Sequence, residues 1–326
     1  MVKIDLKDRK ILYELDLNCR QSNAQIGKKV GLSKDVVAYR IKKMDDEGII
    51  TCYWTAINTY KLGYYVFRIY IKFIDVTAKI KTEIIQYFVK NEDAWAVLTY
   101  KGPVDLDIVL WVKDIYSFNH YWINTLQLYG KYFADSTISI LTQVIACKKT
   151  YLLDEKETAS EREFYTTSCK GDTIQIDALD YKILNELALN ARIPLLNLAK
   201  KTHSTSQTIN YRIKHLMQKE IIHAFRIRIN PSKFGLQGCA IDLYLKDQLL
   251  RKQILDYIKQ KPNIYDIMVM NIGWSDISFE IYISNINELS KLMDEIESKF
   301  PEAIRKYEYW MDEAVHKERW LPKTDF

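Results

Sequence analysis

One stretch of this chain occurs twice. Residues Ser33 to Ile50 read SKDVVAYRIKKMDDEGII, and Thr205 to Ile222 read TSQTINYRIKHLMQKEII. Both copies contain Tyr-Arg-Ile-Lys, at Tyr39–Lys42 and Tyr211–Lys214, and both end on paired isoleucines. The offset, 211 − 39 = 172, holds without a gap from Ile4 to Gly63. A repeat of this length constrains the fold more than any local signal, because whatever one copy forms the other must also form. The chain therefore reads as two linked versions of one module. With 326 residues, each version has roughly 150, enough for a core that needs no disulfide or metal.

The charge lies where the repeat lies. The whole chain carries +5, which says little unless the charge is local. Lys3–Ile50 holds 11 basic and 8 acidic residues, 11 − 8 = +3, and Gln175–Ile222 holds 7 and 4, 7 − 4 = +3. Two local basic surpluses suit a polyanion such as a phosphate backbone. The five cysteines, Cys19, Cys52, Cys147, Cys169 and Cys239, are scattered and odd in number, which argues for a reducing, cytoplasmic compartment. Met1 leads into a charged helix with no leader pattern. The most apolar run, Tyr64–Ile74, is broken by Arg68 and Lys72 and is far short of the ~18 residues of a membrane span.

Asp5 and Asp177 are placed to cap first helices that carry Ile11, Leu12, Leu15 and Ile183, Leu184, Leu187 on one face. Second helices follow over Asn23–Val30 and Leu195–Thr202, and end on Lys28–Lys29 and Lys200–Lys201. Those basic pairs fit either the helix dipole or a phosphate contact. After Gly31-Leu32-Ser33 a third helix begins. Its apolar positions Val37, Ile41 and Met44, or Ile209, Ile213 and Leu216, fall on one buried face. The opposite face offers Ser33, Lys34, Asp35, Ala38, Tyr39, Arg40, Lys42 and Lys43 in the first copy. In the second it offers Thr205, Ser206, Gln207, Asn210, Tyr211, Arg212, Lys214 and His215. These residue types read base edges and phosphates in a DNA groove, so they are the candidate DNA-binding residues. A solvated surface explains one such face as well, but not two with matching neighbours.

The pattern of a capped first helix, Gly31-Leu32-Ser33, Val37-x-x-Arg40-Ile41 and Gly48-Ile49-Ile50 resembles the N-terminal domain of the Lrp/AsnC family of prokaryotic transcription regulators. The second copy has His203 and Glu220 where the first has Gly31 and Gly48. Glycine relieves strain at such turns, so altered turns are expected there. Alternating strands follow, at Tyr53, Thr55, Ile57 and Phe225, Ile227, Ile229, and lead to Asn58-x-x-Lys61-x-Gly63 and Asn230-x-x-Lys233-x-Gly235. The remainder of each copy alternates strand, helix, strand, strand, helix, strand. That order is ferredoxin-like βαββαβ. The expected class is α+β, two tandem modules, each a winged helix-turn-helix domain followed by a ferredoxin-like domain. The expected limits are 1–57 and 58–152 for the first module, 153–174 for a polar linker, and 175–229 and 230–326 for the second.

The resemblance implies an effector and assembly role for the ferredoxin-like domains. It places an amino-acid or small-metabolite effector at the recurring Gly-x-x-Asp turns, Gly102 with Asp105 and Gly273 with Asp276. The same residues also fit a plain hairpin turn. It further implies double-stranded DNA as partner, pairing of the two modules within one chain as a pseudo-dimer, and further homo-oligomers.

Nothing in the chain reads as a catalytic centre. Gly-rich phosphate loops, a nucleophile elbow and metal-spaced histidines are missing from the sequence, so no cofactor, metal site or enzyme activity is expected. Two alternatives stay open. Tetrapyrrole (sirohaem) decarboxylases resemble the same two-domain architecture, and a winged-helix scaffold binds protein instead of DNA.

Overall fold

The computed structural model describes residues 4–153 and 162–323, without the side chains of 268–271. Residues 154–161 of the expected linker lie outside the described residues. Three helices open the chain: α1 (Leu6–Leu17), α2 (Asn23–Val30) and α3 (Lys34–Asp46). Each begins on a side chain that satisfies a free backbone N–H of the first turn: Asp5 for α1, Ser22 for α2 and Ser33 for α3. Then come β1 (Ile50–Ile57), β2 (Tyr65–Phe73), α4 (Ala78–Lys90), β3 (Ala94–Lys101), β4 (Leu106–Val112), α5 (Ile115–Tyr129) and β5 (Phe133–Cys147). After β6 (Glu163–Ser168) the series repeats as α6 (Ala178–Leu189), α7 (Leu195–Lys201), α8 (Ser206–Gln218), β7 (Ile222–Ile229), β8 (Gln237–Leu245), α9 (Arg251–Lys259), β9 (Ile264–Ile272), β10 (Ile277–Ile283), α10 (Ile286–Lys299) and β11 (Ile304–Glu318). The architecture is α+β with the βαββαβ order present twice.

The two copies do not fold side by side as beads. β1 pairs antiparallel with β7, Tyr53 opposite Ile227 and Thr55 opposite Phe225. The strand that leaves each helix-turn-helix thus finds its partner in the other copy. One apolar core joins Ile11, Leu12 and Leu15 of α1 with Ile183, Leu184 and Leu187 of α6, across Phe225, Ile227 and Ile229.

The remaining strands are joined the same way. β5 pairs with β2 of its own copy through residues 133–141 and with β9 of the other copy through 140–146. β11 pairs with β8 through 304–311 and with β3 through 311–318. Strands β2, β4, β3, β11, β8, β10, β9 and β5 therefore close into a circuit of eight. Alternation decides what faces where. Phe67, Ile69 and Ile71 of β2 pack on α4 and α5, and Ile241 and Leu243 of β8 on α9 and α10. The other faces meet inside, where Tyr70, Tyr100, Ala240 and Trp310 form a cluster drawn from both copies.

The expected linker is not all linker. Residues 163–168 form β6, which pairs with β5 from Gln143↔Ser168 to Cys147↔Glu163. Arg162, 5% exposed, anchors its start with hydrogen bonds to Lys148 O (2.9 Å), Pro262 O (3.0 Å) and Ile264 O (2.7 Å). The charged residues before it mask a short run of β-formers, Phe164-Tyr165-Thr166-Thr167.

Candidate nucleic-acid interface

The phase of the two third helices is as the spacing predicts. Val37, Ile41 and Met44 are buried on α3, and Ile209, Ile213 and Leu216 on α8. Ser33, Lys34, Asp35, Tyr39, Lys42 and Lys43 are exposed, with Ala38 half-buried. On α8, Thr205, Gln207, Asn210, Tyr211 and Lys214 are exposed, with Ser206 and His215 half-buried. Tyr39 and Tyr211 are 69% and 66% exposed, far more than a tyrosine used for packing. The hydroxyls of Ser33 and Thr205 serve as caps, accepting from Val36 N (3.3 Å) and Thr208 N (3.1 Å).

Two candidates are committed elsewhere. Arg40 turns back onto the start of α1 and donates to Asp5 (2.8 Å) and Asp8 (2.7 Å). Arg212 does the same to Asp177 (2.7 Å) and Asp180 (3.2 Å). Hydrogen bonds to Asp5 and Asp8 hold the Arg40 guanidinium above its ordinary value. The two arginines clamp the third helix to the first, a structural duty that spacing along one helix could not reveal. Lys29 and Lys201 likewise pair with Glu14 and Glu186, both at 2.6 Å. Lys28 and Lys200 remain exposed beside them and are the members of each basic pair left available for a phosphate contact.

The second motif keeps the geometry of the first. Gly31 and Gly48 have φ of +68° and +65°; His203 and Glu220 have +53° and +57°. The turns are not altered. The second copy holds the same left-handed backbone without glycine, at a cost of about 1–2 kcal/mol at each position.

The two reading helices are set by reciprocal contacts. Cys19 N donates to Phe225 O (2.8 Å) and Ala191 N to Tyr53 O (2.9 Å). Asn58 N donates to Ile221 O (2.8 Å) and Asn230 N to Ile49 O (2.9 Å). Arg20 donates to Ala191 O (2.6 Å), and Arg192 to Cys19 O (2.7 Å). Every one of these pairs maps onto its counterpart under the offset of the repeat.

A buried ion cluster breaks this symmetry. Asp16 of α1, 1% exposed, accepts from Arg226 of β7 at 2.6 and 3.1 Å and from Lys149, just after β5, at 2.6 Å. At the matching positions stand Ala188 and Trp54. Burial and the neighbouring Arg226 push the Lys149 ammonium down to about 8, against the pull of Asp16. Phe164, Tyr165 and Trp54 surround the Arg226 guanidinium at 5.4–5.8 Å. This ion cluster joins the first helix-turn-helix, the second copy's ribbon strand and the first ferredoxin-like domain.

The Gly-x-x-Asp turns sit where the copies meet. A Cβ on Gly102 would stand 3.0 Å from Tyr309 O, and one on Gly273 2.7 Å from Ile138 O, each in a strand of the other copy. Their φ of +143° and +90° also favour glycine. Asp105 accepts from Phe73 N (2.9 Å) and Lys72 Nζ (3.0 Å), and Asp276 from Leu245 N (2.6 Å) and Gln248 Nε2 (2.8 Å). Each carboxylate thus ties off the end of the first strand of its domain. Among the described residues, no three His, Cys, Asp or Glu stand together as a metal site, and no helix is long and apolar enough to cross a membrane.

Residues 4–51 and 176–223 match the winged helix-turn-helix DNA-binding family. An uncharacterized HTH-type transcriptional regulator of Pyrococcus abyssi is 31% identical over 121 residues, 36% of this chain and 80% of that protein. The HTH-type transcriptional regulator Ptr1 of Methanocaldococcus jannaschii is 31% identical over 153 residues, 46% of this chain and 92% of its own length. Among solved structures, the siroheme decarboxylase NirDL superposes with a TM-score of 0.62, over 96% of this chain and 92% of its own, at 12% identity. That likeness is one of fold alone.

Proposed function

The chain belongs to the Lrp/AsnC family of transcription regulators, with two complete modules in one polypeptide, and from that premise we propose that it reads duplex DNA as an intrachain pseudo-dimer. The observation that carries this reading is the β1–β7 ribbon with its reciprocal hydrogen bonds, which gives one chain two helix-turn-helix units in a symmetric setting. In a dimer of identical chains, two identical helices face a palindromic site. Here the faces differ. The first presents Lys34, Asp35, Ala38 and Lys42; the second presents Ser206, Gln207, Asn210 and Lys214. An aspartate accepts from cytosine N4, whereas asparagine and glutamine pair with adenine. The operator is therefore two unlike half-sites, the second richer in A·T.

Lys28, Lys42, Lys200 and Lys214 supply phosphate contacts. With about six to ten phosphates engaged, log affinity falls against log salt with a slope near −5 to −9. Fluorescence anisotropy on labelled duplexes from 50 to 300 mM salt measures it; a slope near zero sinks the reading. The Gly102–Asp105 and Gly273–Asp276 turns take an amino-acid or small-metabolite effector, supported by their position between the copies. Thermal-shift screening tests this, and no shift with any metabolite leaves the turns structural.

A second reading, a tetrapyrrole decarboxylase, is favoured by one observation, the NirDL-like architecture. Titration with an iron porphyrin separates the two. A shifted Soret band without DNA retardation supports the enzyme, and DNA retardation without such a shift supports the regulator.

A further inference from the structure

A cavity of about 970 Å³ opens between α4 and α5, at the C-terminal end of β4. It lies at the opposite end of β4 from the Gly102–Asp105 turn. Its wall is aromatic: Tyr64, Tyr87, Trp111, Phe118, Tyr121 and Tyr129. Tyr87 and Tyr121 lie parallel, with ring centroids 5.8 Å apart, and Tyr129 meets Tyr87 edge-on at 5.3 Å. Such a wall accepts a flat ring by offset stacking or by edge contact.

The polar groups at the cavity are unevenly committed. Asp114 caps α5, accepting from Tyr116 N (3.0 Å) and Ser117 N (3.1 Å). Glu83 accepts the Tyr129 hydroxyl (3.2 Å), and Lys323 pairs with Glu92 (2.7 Å). Burial, with Glu92 nearby, pushes the Asp93 carboxyl up and so disfavours its charge. Lys90 and Lys113 are exposed and have no ion-pair partner among the described residues; Lys113 Nζ stands 4.4 Å from the centre of the Tyr64 ring. Trp111, 3% exposed, has an indole N–H with no acceptor among the described residues. Donors without acceptors predominate.

The second copy serves as a control. Where the first has Tyr64, Lys90, Lys113 and Tyr121, the second has Leu236, Gln260, Ser284 and Leu292. Leu292 is buried there, 7% exposed, in the core beneath α10. Duplication began with one sequence, and only the first copy now carries the aromatic wall together with both lysines.

We infer that this cavity is a small-molecule site that takes an aromatic carboxylate, with the ring against the tyrosine wall and the carboxylate at Lys90 and Lys113. Its size lies within the range of ligand pockets, about 300–1,000 Å³, and leaves room for a bicyclic ring. The inference does not rest on the DNA-binding reading.

Isothermal titration of the full chain with indole-3-propionate tests it. Indole-3-propanol, which lacks the charge, should bind at least tenfold more weakly. The double substitution Lys90→Ala/Lys113→Ala should also lower affinity for the acid at least tenfold, with an unchanged melting point because both side chains lie on the surface. Tyr121→Leu, which installs the second copy's residue, should weaken acid and alcohol alike. Equal binding of acid and alcohol, unchanged affinity in the double variant, or no binding heat overturns the inference. Tighter binding of tryptophan than of indole-3-propionate overturns it too, because an ammonium would then be recognised.

Discussion

Replacing Asp16 with alanine removes the carboxylate that is hydrogen-bonded to both cations of the asymmetric ion cluster. It leaves Arg226 and Lys149, with side chains 3% and 8% exposed, facing only the buried Asp266 carboxyl, itself pushed up to about 7. Breaking a buried pair by removing one partner costs about 3–5 kcal/mol. Part of that is relieved, because Lys149 sheds its proton. Burial and Arg226 already hold it near 8, and Asp16 is what pulls it up. Arg226 cannot deprotonate and keeps its penalty, softened by Phe164 and Tyr165.

The expected loss is therefore about 3 kcal/mol at pH 8, and it depends on pH in a defined direction. In the variant, folded Lys149 is neutral while the unfolded chain still binds that proton. Stability then rises with pH by about 1.4 kcal/mol per unit. In the parent, folded Lys149 is mostly charged at pH 7 and about half charged at pH 8, so the same rise is only about 0.4 kcal/mol. Hence the penalty grows by about 1 kcal/mol from pH 8 to pH 7. Urea unfolding followed by tryptophan fluorescence at both pH values measures it, and adding Lys149→Met should flatten the difference. A penalty below about 1 kcal/mol, well short of the buried-pair range, or one unchanged between pH 8 and 7, refutes the reasoning.

Glu220→Gly should stabilise by about 0.5–1 kcal/mol, the left-handed strain relieved less the entropy of a freer unfolded chain; an unchanged melting point would deny the strain. Lys42→Ala and Lys214→Ala should each weaken DNA binding without changing the melting point, whereas Ile41→Ala should cost about 2–5 kcal/mol of stability by opening a core cavity. Burial raises the carboxyls of Asp242 to about 6 and of Asp266 and Asp312 to about 7. The folded state therefore holds protons that the unfolded chain releases near pH 4, and stability from these groups is lost as pH rises toward 7. Melting should occur at higher temperature at pH 5.5 than at pH 8, with a shallower dependence in Asp312→Asn.

Local chemistry was legible in the sequence; pairing was not. The repeat, the caps at Asp5 and Asp177, and the buried stripe of Val37, Ile41 and Met44 all rest on contacts within a few residues. The pairing of β1 with β7 joins residues some 170 positions apart, and alternation in one strand names a face but not a partner. Arg40 looked like a surface residue of a reading helix until the fold brought Asp5 and Asp8 beside it. β6 was hidden because its flanking charges outweighed six residues of strand. His203 and Glu220 misled for a different reason: glycine is the cheapest left-handed residue, but other residues adopt that conformation where packing compensates.

The central claim is that one chain reads two unlike half-sites, and selection of binding sites from random duplexes tests it most directly. The expected consensus has two different halves about one or two helical turns apart, with the A·T-rich half altered by Gln207→Ala and the other by Asp35→Ala. A perfect palindrome, with both halves equally sensitive to both substitutions, would mean that two chains present the same module, and would contradict the intrachain pseudo-dimer.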